Sequence, residues 1–154
     1  MRLLESTVPS LAGTFDEAGG AYEICSAEPD AVPTVTYDPY VLLDALFDAY
    51  NEARDTNWDG EGAHAVSADV LGIACRFLLA LPAGTPEPEV DASPHGTLLF
   101  SWYAASRRRL TVDVSDTGDL AFAAVLGHDR VRGTMLFIDA VPDAILRLAA
   151  RVTG

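Results

Sequence analysis

Apolar side chains recur along this chain at two different periods, and the change between them sets the expected architecture. From Leu42 to Ala53 and from Val70 to Leu81 they return every three to four positions, the spacing that lines one face of a helix. From Thr97 onward they alternate with polar residues, as on a strand with one buried face.

The helical stretches carry start and stop signals. Asp38 can cap the first helix, and Pro39 suits its first position, where a missing N–H costs nothing. Leu42, Leu43, Leu46, Phe47, Tyr50 and Ala53 form the apolar face. Ser67 caps a second helix over about 68–81, with Asp69 where the helix dipole favours negative charge. Its face is Val70, Leu71, Ala74, Phe77, Leu78 and Leu81. Gly72 costs about 1 kcal/mol there relative to Ala and is read as a point of close packing. Pro82 and Gly84 end the helix, and 82–88 is a rigid connector.

Strands are expected at Thr97–Tyr103, Leu110–Val114, Asp119–Val125 and Val131–Phe137, with a short one starting at Glu89-Val90. Ser93–Gly96, Ser115–Gly118 and Gly127–Arg130 supply turns. Pro142 opens a last helix with Ile145, Leu146, Leu148, Ala149 and Val152 apolar. Residues 1–36, punctuated by Gly13, Gly19, Gly20, Pro29 and Pro33, show weak strands at Ala21–Cys25 and Pro33–Thr36, or form an arm. The expectation is a single α+β domain over 1–154. Two helices precede a roughly four-stranded antiparallel meander, and the C-terminal helix packs on one face of the sheet.

The densest chemistry lies between the two helices, in Asp55-Thr-Asn-Trp-Asp59-Gly-Glu-Gly-Ala-His64. Asp55, Asn57 and Asp59 followed by Gly60 match the opening of a calcium loop, which needs oxygen ligands at alternate positions. The match stops there: Val66 holds the twelfth position, where a bidentate Glu is required, and Gly62 holds the eighth. The other reading is a Gly-rich connector in which Asp and Asn satisfy turn backbone and Trp58 enters the core.

Trp58-Asp-Gly-x-Gly-Ala63, then a helix, then Pro88-x-Val90, a Gly turn and Leu98-x-Phe100-x-Trp102, resembles an uncharacterised family of small bacterial proteins. The resemblance covers about residues 55–150. It implies a shared fold and no catalytic residue. Members commonly carry an aromatic between the two glycines, where this chain has Glu61.

Composition adds one strong constraint. The chain has 23 acidic residues against 10 basic ones, a formal charge of −13, with 49% hydrophobic content. All the basic residues are Arg, which is read as codon bias and removes Lys Schiff-base chemistry. The charge repels nucleic acid and anionic membranes and attracts basic proteins, or serves solubility alone. No apolar run approaches the roughly 18 residues of a membrane span, and no signal peptide is visible, so a cytoplasmic protein is expected. Cys25 and Cys75 have no metal-ligand spacing, and Cys75 is read as a small buried hydrophobe.

On the first helix Asp44, Asp48, Glu52 and Asp55 fall on the side opposite the apolar face, as one acidic stripe that is either a solvated face or a surface for a basic partner or a cation. His64, His95 and His128 lie in separate loops. Arg107-Arg108-Arg109 is a basic cluster too small against the net charge to suggest nucleic-acid binding. It caps a hairpin, pairs with acidic residues, or covers whichever of Trp102 and Tyr103 faces outward.

The function expected is therefore a non-enzymatic interaction protein that engages a basic protein partner through Asp44, Asp48, Glu52, Asp55, Asp59 and Glu61. An inhibitor or antitoxin that mimics nucleic-acid phosphates fits this description. The alternatives are a small homodimeric adaptor or chaperone-like module that takes a partner peptide, and a calcium-binding protein or enzyme built on the Asp55, Asn57 and Asp59 loop.

Overall fold

In a computed structural model, residues 37–154 are described, and they belong to the unit Val35–Gly154. The strands and arm expected within residues 1–36, and Cys25, lie outside the described residues.

Helix α1, Pro39–Ala53, starts as its sequence dictates, with the Asp38 side chain accepting from Tyr40 N at 2.9 Å and Pro in the first turn. Helix α2, Ala68–Ala80, is capped by Ser67 Oγ, which accepts from Val70 N at 3.3 Å. Five strands follow: β1 (Glu89–Ser93), β2 (Thr97–Ala105), β3 (Arg108–Val114), β4 (Asp119–Leu126) and β5 (Asp129–Leu136). Helix α3, Asp143–Thr153, closes the chain with Pro142 at its N-cap. The strands form one antiparallel sheet in the order β1-β2-β3-β4-β5. The sheet thus has one strand more than the four expected as a meander, because the short Glu89-Val90 signal extends to Ser93.

Register explains the core. Leu98 pairs with Val114 and Val114 with Leu120, Phe100 with Val112 and Val112 with Phe122, and Trp102 with Leu110 and Leu110 with Ala124. Directly opposed residues share a face, so these three rungs make one apolar layer, and every member is buried. The helices lie on that layer: α2 packs on β2 and β3, α3 on β2, β3 and β4, and α1 on α2 and β1. Phe77 anchors the interface, with its ring 4.8 Å from Phe100 and 5.8 Å from Phe137. Burying each such side chain contributes about 1.5–3 kcal/mol. Trp102 keeps its indole N–H satisfied inside the core by donating to Pro86 O at 2.8 Å, as a buried indole requires.

The α+β class, the helices and the C-terminal helix on the sheet agree with the sequence reading. Several details differ. Phe47, expected on the apolar face of α1, is 45% exposed, and Leu43 and Tyr50 are only half-buried. That face is centred on Leu42, Leu46 and Ala53, and Phe47 sits beyond its edge. Gly72 makes no close packing: a Cβ there would meet nothing within 4 Å. Cys75 is a free thiol, half-buried instead of fully enclosed, and that burial raises its pKa. Among the described residues, no helix is long and apolar enough to cross a membrane.

Candidate functional site

The acidic side of α1 is built by helical spacing alone. Asp44, Asp48 and Glu52 are all exposed, on the side away from Leu42, Leu46 and Ala53. Asp55, also exposed, falls after the C-cap residue Arg54, so it belongs to the loop and does not extend the helical row. The same side carries Tyr40, 75% exposed, with Val41 and Phe47 beside it. Positions 40, 44, 47 and 48 are neighbours on a helix surface. The face is therefore a mixed one, two aromatic rings among carboxylates, rather than the purely charged stripe that the sequence suggested. Sequence spacing alone could have shown this, because Tyr40 and Val41 lie outside the apolar face.

The loop that follows is stitched together by its own polar groups. Asn57 takes a left-handed conformation, φ 60°, and its side chain accepts from Gly62 N at 2.7 Å. Asp59 Oδ1 accepts from Glu61 N at 2.8 Å and from Ala63 N at 3.1 Å. The Glu61 amide foremost, with Ala63 helping, holds the Asp59 carboxyl below its usual range. Asn57 N donates to Ala63 O at 2.7 Å and closes the loop across its base. Trp58 does not enter the core. It is half-buried against it and donates its indole N–H to His64 O at 3.2 Å.

This bonding bears on the calcium reading. Asn57 Oδ1 and Asp59 Oδ1 serve backbone amides within the loop, while the second Asp59 oxygen takes no part in those three bonds. Among the described residues, no group of three or more His, Cys, Asp or Glu is placed to hold a metal. His64 N donates to Pro94 O at 2.8 Å, so the loop rests on the β1–β2 turn that contains His95. His128 lies in the β4–β5 turn, at the opposite end of the sheet, because successive turns of a meander alternate ends.

Asp59 and Glu61 remain exposed beside the end of α1. The six expected partner-binding residues thus form two groups: Asp44, Asp48 and Glu52 on the helix, and Asp55, Asp59 and Glu61 on the loop. Arg54, exposed at the C-cap of α1, falls between the two groups in sequence, and most of the other arginines fall elsewhere. Seven of the ten lie between Arg107 and Arg151. Arg109 covers the exposed Tyr103 ring at 5.5 Å, which resolves the expected Trp102/Tyr103 split, with Trp102 inside. Arg108 donates to the Arg151 carbonyl near the end of α3. Arg130 and Arg132, on β5, are exposed; their alternation with Val131 was visible in the sequence but carried no functional reading there. In comparisons with known proteins, no family model, no curated protein and no solved structure matches this chain.

Proposed function

We propose that the chain is a non-enzymatic interaction module that docks its α1 face on a basic protein surface. One observation carries the reading: Tyr40 and Phe47 stand exposed beside Asp44 and Asp48 on one side of α1. Aromatic rings that desolvate at a contact supply most of the affinity, and carboxylates around them steer the approach and select the partner. Glu52, Asp55, Asp59 and Glu61 extend the negative field beyond the helix end. A surface whose arginines and lysines otherwise hold phosphates complements this row, so a nuclease, a toxin or another nucleic-acid-handling protein is the partner class. The module would act on it as an inhibitor or antitoxin, by occupying the phosphate sites.

The test uses the full chain as bait in an extract of its native host, with crosslinking and identification of the crosslinked residues. The expected partner crosslinks to α1, carries a basic surface at the contact, and is lost steeply from low to moderate salt. The triple variant Asp44→Arg, Asp48→Arg, Glu52→Arg should lose it while melting as a folded protein. Retention of the same partner by that variant at unchanged affinity overturns the proposal.

A further inference from the structure

Among the described residues, β5 is an edge strand of the sheet. It pairs with β4 on one side, and among the described residues the sheet order places no strand on the other. The main helix packings fall on β1 to β4. All its residues from Asp129 to Thr134 are exposed, Val131 by 40% and Leu136 by 58%. It has no proline and no bulge against β4, two of the devices that close an edge, although it carries charge on Asp129, Arg130 and Arg132. The opposite edge differs: β1 is short, follows Pro88, carries Glu89 and Asp91, and has α1 against it.

The phase of the pairing says which groups are open. Phe137 N donates to Gly118 O at 2.9 Å, in the same register that pairs Leu126 with Asp129. In an antiparallel ladder bonded and non-bonded pairs alternate, so Val131, Gly133 and Met135 bond to β4. Arg130, Arg132, Thr134 and Leu136 therefore turn their N–H and C=O groups to the open side. Their side chains lie on the face away from the helices, opposite Val125, Ala123, Ala121 and Asp119. Val131 and Met135 point to the other face, at the rim of the core.

We infer that β5 accepts an extended peptide segment in which carboxylates alternate with apolar side chains, as a sixth strand. The backbone of the four open residues would supply the ladder bonds. On one face the carboxylates meet Arg130 and Arg132, and on the other the apolar side chains cover Val131 and Met135. A second copy is the poorer occupant. Symmetric pairing of two β5 strands gathers four arginines into one short stretch, and like charges opposed across strands repel. The inference is independent of the α1 proposal, because it concerns the opposite edge of the sheet.

The experiment measures amide hydrogen exchange at Arg130, Arg132, Thr134 and Leu136 in the full chain. The probe is a synthetic peptide of alternating Glu and Val, with a Lys-Val peptide of equal length as control. Net charge alone predicts that the −13 chain prefers the Lys peptide, so preference for the Glu peptide at this edge reports local chemistry. At a concentration about ten times its Kd, the Glu peptide should slow exchange of the four amides about tenfold, and the Lys peptide should leave them unchanged. Thr134→Pro removes an open-side donor without touching a β4 bond and should abolish the protection. Arg130→Glu with Arg132→Glu should transfer it to the Lys peptide. The proposal fails if the four amides are already slow in the free protein, if the chain self-associates through them, or if the Glu peptide leaves them unprotected.

Discussion

Gly96 sits against the carbonyl oxygen of Ala65: a Cβ on residue 96 would lie 2.9 Å from it, and the residue holds φ +85°. Two loops far apart in sequence are thereby pressed together at one end of the sheet. Gly96→Ala meets both a strained backbone and an unyielding main-chain oxygen. It should destabilise by about 1–3 kcal/mol, read from denaturant midpoints, and should weaken the His64–Pro94 contact next to it.

Gly72 is the opposite case. It lies inside α2, exposed, with open space where a side chain would go. Gly72→Ala should stabilise the protein by up to about 1 kcal/mol. An equal or lower melting temperature would mean that something covers this side of α2.

The loop carboxylate gives a pH signature. The folded Asp59 group is held below its ordinary value, first by the Glu61 amide. The bonds it accepts therefore contribute above the unfolded value and are lost as pH falls through the folded one. Amide chemical shifts of Glu61 and Ala63 should titrate together below the ordinary carboxylate range. Asp59→Asn keeps the acceptor and should remove the titration while preserving the loop, whereas Asp59→Ala should loosen it at every pH.

On α1, Asp44, Asp48 and Glu52 follow one another at four-residue spacing. Replacing the middle one, Asp48→Arg, turns two repulsions into attractions and should raise stability by a few tenths of a kcal/mol at low salt. Added salt should narrow the gap between the two proteins.

Cys75 should react slowly with alkylating reagents at neutral pH, because burial raises its pKa and keeps it a thiol. Rates measured against a small-molecule thiol check this. A rate equal to that of the free reagent thiol would place Cys75 on an open surface.

The helices and the meander were legible because Asp38-Pro39, Ser67 and the turn glycines mark boundaries, and because one buried face forces a period. β1 was only half legible: Asp91 and Ser93 are poor strand formers, and the pairing with Leu99 and Thr97 that holds them cannot be read locally. Phe47 was misassigned because an apolar residue at helical spacing looks the same whether it flanks a core or stands outside it. The roles of Asn57 and Asp59 were legible as turn chemistry, but the docking of their loop on Pro94 was not, since nothing in either segment names the other. The open side of β5 needed the register, and one bond, Phe137 to Gly118, supplies it.

Charge in the described residues is spread unevenly from one side to the other. The stretch from Asp38 to Asp91 is strongly negative, and that from Ala92 to the end is close to neutral, with its arginines toward β3, β5 and α3. In the field of a positive surface this imbalance acts as a torque within reach of a Debye length of about 8 Å. Within the described unit that torque would turn α1 toward the surface before any side chain touches, and the β5 edge would point away from it, open to a second, differently charged molecule.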